Sequence, residues 1–257
     1  MPSVSKVYPM FQPQVIVAMI FTMCFNVYMA PPDTTFENSK HHLRHIGLIL
    51  VGMFVLDRVV GQKTKAPWMF LHAVTNLVTA VSCIPDLLEI AKDPIKSCHG
   101  SSTVMPVYMI AALHIYHLIG FSTDDRDWFH HILFVGTLCP VGCLWSIGPV
   151  KNLLSFFICG LPGGLDYVLL FLVKHNMIHK LTEKKWNARI NVWMRSPGCF
   201  SCCAVIYMII RYDTGSVCHH GNPLIGFAIA LLVLFNGQYY MQVVVGNTFR
   251  RDQHYSS

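Results

Sequence analysis

Two adjacent histidines, His130 and His131, begin an apolar segment directly after a short acidic run that ends at Asp127. His130 lies three residues after Asp127, about one helical turn away, so the carboxylate could orient or charge the imidazole. An imidazole held in this way can act as a general base, a nucleophile or a metal ligand. The same pair would also suit the start of a helix at a membrane interface, where it would cap the helix without doing chemistry.

Polar side chains recur at helical spacing in four other apolar segments. The residues of these stripes are His72, Asn76, Thr79 and Cys83; His114 and His117; Asn152, Ser155, Cys159 and Asp166; and Asn236, Tyr239, Tyr240 and Asn247. Such groups are costly in lipid and normally face the interior of a helical bundle. Any one of them could simply hydrogen-bond between helices, but four stripes together predict a shared polar cavity. Its predicted lining residues are His72, Asn76, His114, His117, Asn152 and Asn236.

The segment that contains Asp166 has a second unusual feature, a proline and three glycines between Gly160 and Gly164. Pro162 removes a backbone hydrogen bond, and glycines loosen a helix, so the helix is predicted to kink or break here. Distorted backbone at membrane depth is tolerated only inside protein or along a cavity. Asp166 would then lie just beyond the distortion, although a kink without chemistry would have the same sequence.

The elements that carry these residues are predicted to be membrane-spanning helices. Of the 257 residues, 53% are hydrophobic and only 12% are charged, and the mean hydropathy is +0.46. Soluble domains carry about 25% charged residues, and a span needs roughly 20 mostly apolar residues. Candidate spans are Gln14–Ala30, Leu43–Val60, Trp68–Ala91, Val104–Phe121, Trp128–Ile147, Asn152–Val173, Cys199–Ile210 and Pro223–Val245. The prediction is an all-α, polytopic transmembrane bundle of about seven or eight spans, with one domain at 14–247 and tails at 1–13 and 248–257.

The distribution of Lys and Arg predicts the orientation of these spans. With eight spans, most of the basic residues lie on the side of both termini, above all in the predicted loop Lys174–Pro197. Because Lys and Arg favour the cytoplasmic side, both termini are predicted to be cytosolic. A basic cluster beside a membrane is more suited to anionic headgroups than to nucleic acid, so no nucleic-acid partner is predicted.

These segments together resemble the TLC-domain superfamily, whose best-known enzymes are the ceramide synthases. The resembling residues, between Lys40 and Asn247, are Trp68, His72 and Asn76; Leu113-His114-Ile115-Tyr116-His117; Trp128-Phe129-His130-His131; Asp166-Tyr167; and Asn236-Gly237-Gln238-Tyr239-Tyr240. The resemblance implies a bundle around a lipid-accessible cavity, in the endoplasmic reticulum or another intracellular membrane. It also implies acyl transfer from acyl-CoA, with His130 and His131 as nucleophile or base and Asp166 as a partner across the cavity.

The sequence departs from the ceramide synthases beside Asp166. Those enzymes place a His-Asp pair four and three residues before the matching aspartate, and here the positions hold Pro162 and Gly163. The prediction therefore moves to a protein that binds or regulates membrane lipids in a polar cavity, with acyl transfer through the paired histidines as an added activity. The alternative is a non-catalytic structural or assembly subunit of a larger membrane complex.

A metal-dependent membrane enzyme is a third reading, suggested by the 14 histidines. Di-iron lipid desaturases and hydroxylases repeat His-x-x-His-His boxes, however. The pairs His41-His42, His130-His131 and His219-His220 each lack a histidine three residues before the first member. The sequence therefore predicts no metal site in the cavity and no cofactor.

Two of the ten cysteines, Cys98 and Cys218, fall in predicted loops on the same, non-cytosolic side. If that side is oxidising, a disulfide between them is possible. The neighbouring His99, His219 and His220 could instead join the cysteines in a zinc site. Two unrelated loop segments would give the same sequence.

Overall fold

The computed structural model describes residues 13–29, 35–145, 147–213 and 223–256, and within these ranges the chain is helical and contains no strand. We number eight helices in chain order. They are α1 (Pro13–Met29), α2 (Phe36–Val59), α3 (Pro67–Lys92), α4 (Met105–Gly120), α5 (Asp125–His130, His131–Val135 and Gly136–Leu144), α6 (Val150–Lys174), α7 (Lys180–Tyr212) and α8 (Pro223–Ser256). The predicted all-α class is confirmed for the described residues.

Four helices, α3, α6, α7 and α8, are long and apolar enough to cross a membrane. Helices α1 and α4 are apolar but shorter, with apolar stretches at Pro13–Tyr28 and Met105–Gly120. The structure thus supports four candidate spans, at four of the eight predicted positions. Each of the eight predicted apolar segments nevertheless coincides largely with a helix.

The basic segment Lys174–Pro197, predicted to be a loop, is mostly helix instead. Helix α7 begins at Lys180, where the side chain of His179 accepts a hydrogen bond from the backbone N–H of Leu181 at 3.2 Å. Between Lys180 and Arg195 the chain has neither proline nor glycine. Charged side chains such as Lys and Glu are good helix formers, so the high charge marked an amphipathic end of the helix rather than a loop.

Three helices contain a π turn, in which the backbone accommodates one more residue per turn. These turns are His131–Val135 in α5, Phe156–Gly160 in α6 and Asn191–Arg195 in α7. The predicted distortion of α6 is therefore present one turn earlier than Gly160–Gly164. Pro162 lies in the first turn of the regular helix that follows, where its missing N–H removes no hydrogen bond of that run.

Glycines of α6 bring this helix unusually close to α3. A Cβ at Gly163 would lie 2.9 Å from Nδ2 of Asn76, and one at Gly164 would lie 2.8 Å from Cδ2 of Leu77. Small residues allow the backbones of membrane helices to approach in this way. The glycine-rich segment therefore positions α6 against α3 as well as following a π turn.

The connection between α3 and α4 is fixed to the C-terminal end of α7. Cys98 is disulfide-bonded, whereas the other described cysteines carry free thiols. Nε2 of His99 lies 2.9 Å from Oδ1 of Asp213. Gly148, just before α6, adopts a φ of +51°, and a Cβ there would clash with the carbonyl oxygen of Cys98. The predicted partner Cys218 lies outside the described residues. A sulfur in a disulfide is not a zinc ligand, so Cys98 takes part in a bridge and not in the zinc site considered as an alternative.

Candidate functional site

Eight of the nine residues predicted to be catalytic or to line the cavity do line one polar cavity of about 200 Å³. They are His72 and Asn76 of α3, His114 and His117 of α4, His130 and His131 of α5, Asp166 of α6, and Asn236 of α8. All but His130 and Asp166 are buried, and those two are half-buried. The stripes that were recognised on separate helices therefore meet in space.

Asn152, the ninth residue, lies elsewhere. Its amide nitrogen donates to a carboxylate oxygen of Asp86 and to the carbonyl oxygen of Thr103, the latter at 2.8 Å. These bonds connect the start of α6 to α3 and to the segment before α4. The prediction that Asn152 lines the cavity is wrong, because the residue shares a helix with Asp166 but not a depth in the bundle.

Aromatic rings pack against the histidines of the cavity, and the ring of Tyr167 lines the cavity itself. The ring centroid of Trp68 lies 3.5 Å from that of His72 and 3.9 Å from that of His117. Tyr167 stacks on His72 with centroids 4.0 Å apart. Packing of this kind restricts the side-chain rotamers of both histidines, which therefore present fixed edges to the cavity.

His131 and His117 form a hydrogen-bonded pair with a defined polarity. Nδ1 of His131 contacts the backbone carbonyl oxygen of Asp127, so this nitrogen carries the proton and donates it. Nε2 of His131 then accepts from Nδ1 of His117, 3.3 Å away. This assignment follows from the hydrogen-bond partners, and it leaves Nε2 of His117 with a lone pair. His114 is oriented similarly, with Nδ1 2.7 Å from the carbonyl oxygen of Ile110.

His130 differs from its neighbour because its Nδ1 is buried and has no hydrogen-bond partner among the described residues. Its ring centroid lies 5.6 Å from that of His114 and 5.4 Å from that of Tyr240. His130 also lines a small apolar pocket that adjoins the polar cavity. Of the two paired histidines, His130 is thus the one with an uncommitted nitrogen at the boundary between polar and apolar surfaces.

Several other buried polar atoms of the cavity have no hydrogen-bond partner within the part of the chain that the structure describes. They are Nδ1 of His72, Oδ1 of Asn76, Oδ1 of Asp166, Nε of Arg195 and Nδ2 of Asn236. Buried polar groups are normally satisfied by protein or by ordered water. A cluster of unsatisfied donors and acceptors around one cavity is therefore suited to binding water or a polar ligand.

Sequence analysis missed Arg195, the basic residue of the cavity, because it was assigned to a cytosolic loop. Tyr167 and Tyr240 also line the cavity, the former noted only through the family resemblance. The signal for Arg195 was present as a four-residue repeat of Glu183, Asn187, Asn191 and Arg195. Polar residues at this spacing lie on one helical face.

Comparison with protein-family models, curated proteins and solved structures finds no match for this chain. The geometry of the cavity and its surroundings therefore carries the functional argument.

Proposed function

We propose that this chain is a multi-pass membrane protein that binds a membrane lipid, with the lipid head in the polar cavity and an acyl chain in adjoining apolar space. The observation that carries the proposal is the continuity between polar and apolar surfaces. An amphiphile needs both kinds of surface next to each other, and a site for a soluble polar molecule does not.

Two apolar pockets share walls with the polar cavity. The smaller, of about 60 Å³, shares His130, Ile158 and Cys159 with it. The larger, of about 410 Å³, shares His114 and His131 and lies between α2, α4 and α5. Its apolar lining includes Leu43, Ile46, Ile115, Leu118 and Leu144. An acyl chain in the larger pocket would place its polar end beside the histidines.

The uncommitted nitrogen of His130 supports a transfer activity at the same site. With acyl-CoA as donor, His130 would accept the proton of a hydroxyl or amine while that group's oxygen or nitrogen attacks the thioester carbonyl. The carbon–sulfur bond then breaks, and the proton passes to the departing thiolate. His131, whose ring is held by hydrogen bonds with Asp127 and His117, orients the pair that it forms with His130. Asp166 lies on another wall of the cavity. These roles agree with those that the resemblance to the TLC-domain superfamily implies.

The cavity and the disulfide lie at opposite ends of the bundle. His72 is near the start of α3, His117 near the end of α4 and His130 near the start of α5, whereas Cys98 follows the end of α3. Disulfides persist in oxidising compartments. This arrangement supports a cytosolic cavity, with Cys98 on the oxidising side of the membrane. The endoplasmic reticulum or another intracellular membrane is the compartment that the resemblance to the TLC-domain superfamily implies.

The test is analysis of lipid that remains bound to the purified full-length protein, followed by an acyl-transfer assay. We expect co-purified acyl lipid at close to one molecule per chain, reduced when Asn76 is replaced by leucine. His130→Ala should abolish acyl transfer, because a base is lost, while expression and lipid binding persist. Retention of full transfer activity by the His130→Ala, His131→Ala double variant would refute the catalytic role. Absence of bound lipid from the wild-type protein would refute the binding role.

A second candidate function, a non-catalytic subunit of a membrane complex, is favoured by one surface. Trp186, Trp193, Phe200 and Tyr207 follow one another at seven-residue spacing on α7, and their exposed fractions are 50%, 80%, 64% and 55%. Phe200 and Tyr207, seven residues apart in regular helix, share one face on which a partner helix could pack, whereas the π turn Asn191–Arg195 shifts the register between them and Trp186. Co-purification of a stoichiometric partner that is lost in Trp193→Ala would support this function, and a monodisperse single chain would count against it.

A further inference from the structure

Arg195 is held in place by a row of buried polar side chains along α7. Glu183, Asn187 and Asn191 are 1%, 4% and 0% exposed. The amide nitrogen of Asn187 donates to Oε1 of Glu183 at 3.5 Å, and that of Asn191 donates to Oδ1 of Asn187 at 2.6 Å. Nη1 of Arg195 completes the row by donating to Oδ1 of Asn191 at 3.1 Å. The guanidinium is therefore oriented by three preceding turns of its own helix.

This orientation leaves the other edge of the guanidinium available to a ligand. Nε of Arg195 is buried without a hydrogen-bond partner among the described residues. Nη2 lies near Gly163, at 3.7 Å from the position that a Cβ added to this glycine would take. The Nε–Nη2 edge of arginine presents two parallel N–H groups, the geometry that binds carboxylate or phosphate in a bidentate manner.

The other unsatisfied polar groups that line the cavity with Arg195 include both donors and acceptors. Asn236, 1% exposed, contributes a second unsatisfied donor, and the ring of Tyr240 lies 6.0 Å from Cζ of Arg195. Unsatisfied acceptors belong to Asn76 and Asp166. No ion pair joins Asp166 to Arg195 within 4 Å in the described chain. Asp166 lines the same cavity, but without a direct ion pair it leaves the Nε–Nη2 edge of Arg195 open to an anionic oxygen group.

We propose that Arg195 selects lipids whose head carries an anionic oxygen group of the phosphate type, bound by its Nε–Nη2 edge with help from the amide of Asn236. Hydroxyl or amine hydrogens on the same head would be accepted by Asn76 and Asp166. This inference rests on the proposed lipid-binding function and adds a substrate class to it.

The experiment uses the purified full-length protein in a neutral maltoside detergent, with binding counted by native mass spectrometry. The probes are dioctanoyl phosphatidic acid, dioctanoylglycerol, which has the same chains without phosphate, and inorganic phosphate as a soluble competitor. Arg195→Gln removes the charge, and Arg195→Lys keeps the charge but not the planar fork. Arg189→Gln is the matched control, because Arg189 is an exposed arginine of the same helix.

We expect phosphatidic acid to bind about tenfold or more tightly than dioctanoylglycerol, since hydrogen bonds to charged groups are stronger than neutral ones. Arg195→Gln should remove this preference while dioctanoylglycerol still binds, Arg195→Lys should restore part of it, and Arg189→Gln should retain it fully. If Arg189→Gln and Arg195→Gln reduce the preference for phosphatidic acid equally, the inference is wrong and the basic surface of α7 accounts for the preference. If inorganic phosphate competes at the same concentration as the lipid, the anion that Arg195 binds is free phosphate and not a lipid headgroup, and the inference is wrong.

The failure of the two proposals can be told apart. If both dioctanoyl lipids bind equally and Arg195→Gln changes neither affinity, the anionic selectivity is wrong and lipid binding stands. If neither lipid binds the wild-type protein, the lipid-binding function itself fails.

Discussion

Replacing Gly164 with alanine adds one methyl group at a close contact between α6 and α3. An ideal Cβ at this position would lie 2.8 Å from Cδ2 of Leu77 and 3.2 Å from its backbone nitrogen. The side chain of Leu77 can rotate away, but its backbone nitrogen moves only if the two helices separate by a few tenths of an ångström. Overpacking of this kind costs about 1–3 kcal/mol of folding free energy.

The helical propensity of alanine opposes this cost and has to be removed by a control. Alanine in place of glycine stabilises a helix by roughly 0.5–1 kcal/mol. The control is Gly52→Ala in α2, where an added Cβ meets nothing within 4 Å. Both substitutions gain the same helical propensity. The difference in the free energy of unfolding between Gly164→Ala and Gly52→Ala therefore measures the cost of the packing contact.

The assay is reversible denaturation of the purified protein in detergent, followed by tryptophan fluorescence. Gly164→Ala should be less stable than Gly52→Ala by about 1–3 kcal/mol. It should also bind lipid more weakly, because Asn76 and Asp166 on the two facing helices would move apart. If Gly164→Ala is as stable as Gly52→Ala and binds lipid equally well, close packing of α3 on α6 does not position the cavity walls.

Three further outcomes are expected. Non-reducing peptide mapping should recover Cys98 in a disulfide, and Cys98→Ser should cost about 2–5 kcal/mol of stability; an alkylatable Cys98 before reduction would contradict the bridge. Tyr116→Phe removes a 2.9 Å hydrogen bond to the buried Asp57, and should cost about 1–3 kcal/mol in the denaturation assay, whereas Tyr207→Phe on the exposed face of α7 should be neutral; equal effects would contradict this. A glycosylation sequon introduced near Ser102 should be modified in cells, and one added after the C-terminus should not; the reverse pattern would invert the proposed orientation.

The sequence predicted the helices and most of the cavity because both depend on local periodicity. Hydropathy placed the apolar segments, and spacings of three and four identified the faces that carry His72 with Asn76 and His114 with His117. These faces converge because polar groups are costly in contact with lipid and therefore face the interior of the bundle. The number of spans does not follow in the same way, since α1 and α4 fall between the lengths of a span and of an interfacial helix.

Depth within the bundle was the information that sequence spacing lacked. Asn152 and Asp166 are 14 residues apart, which is about 21 Å along a helix, and the π turn between them also changes the register of the face. Arg195 was missed for a different reason, which is the charge of the residues around it. Its basic neighbours suggested a loop. The chain there is helical, and a row of buried polar residues that ends with Asn191 and Arg195 follows the helix as far as the cavity.

The three π turns affect how this site responds to insertions and deletions of single residues. A π turn is an α-helix with one extra residue, and each of the three contributes to the cavity wall, through His131, through Ile158 and Cys159, and through Arg195. Losing one residue from such a turn would restore regular helix while the segments on either side keep nearly the same facing, because the wider turn had absorbed the extra residue. A single codon deletion could therefore remove or reposition a lining residue at the turn while the rest of the helix keeps its orientation. Related chains with different cavity linings are thus expected to differ by one-residue gaps at these turns as well as by substitutions.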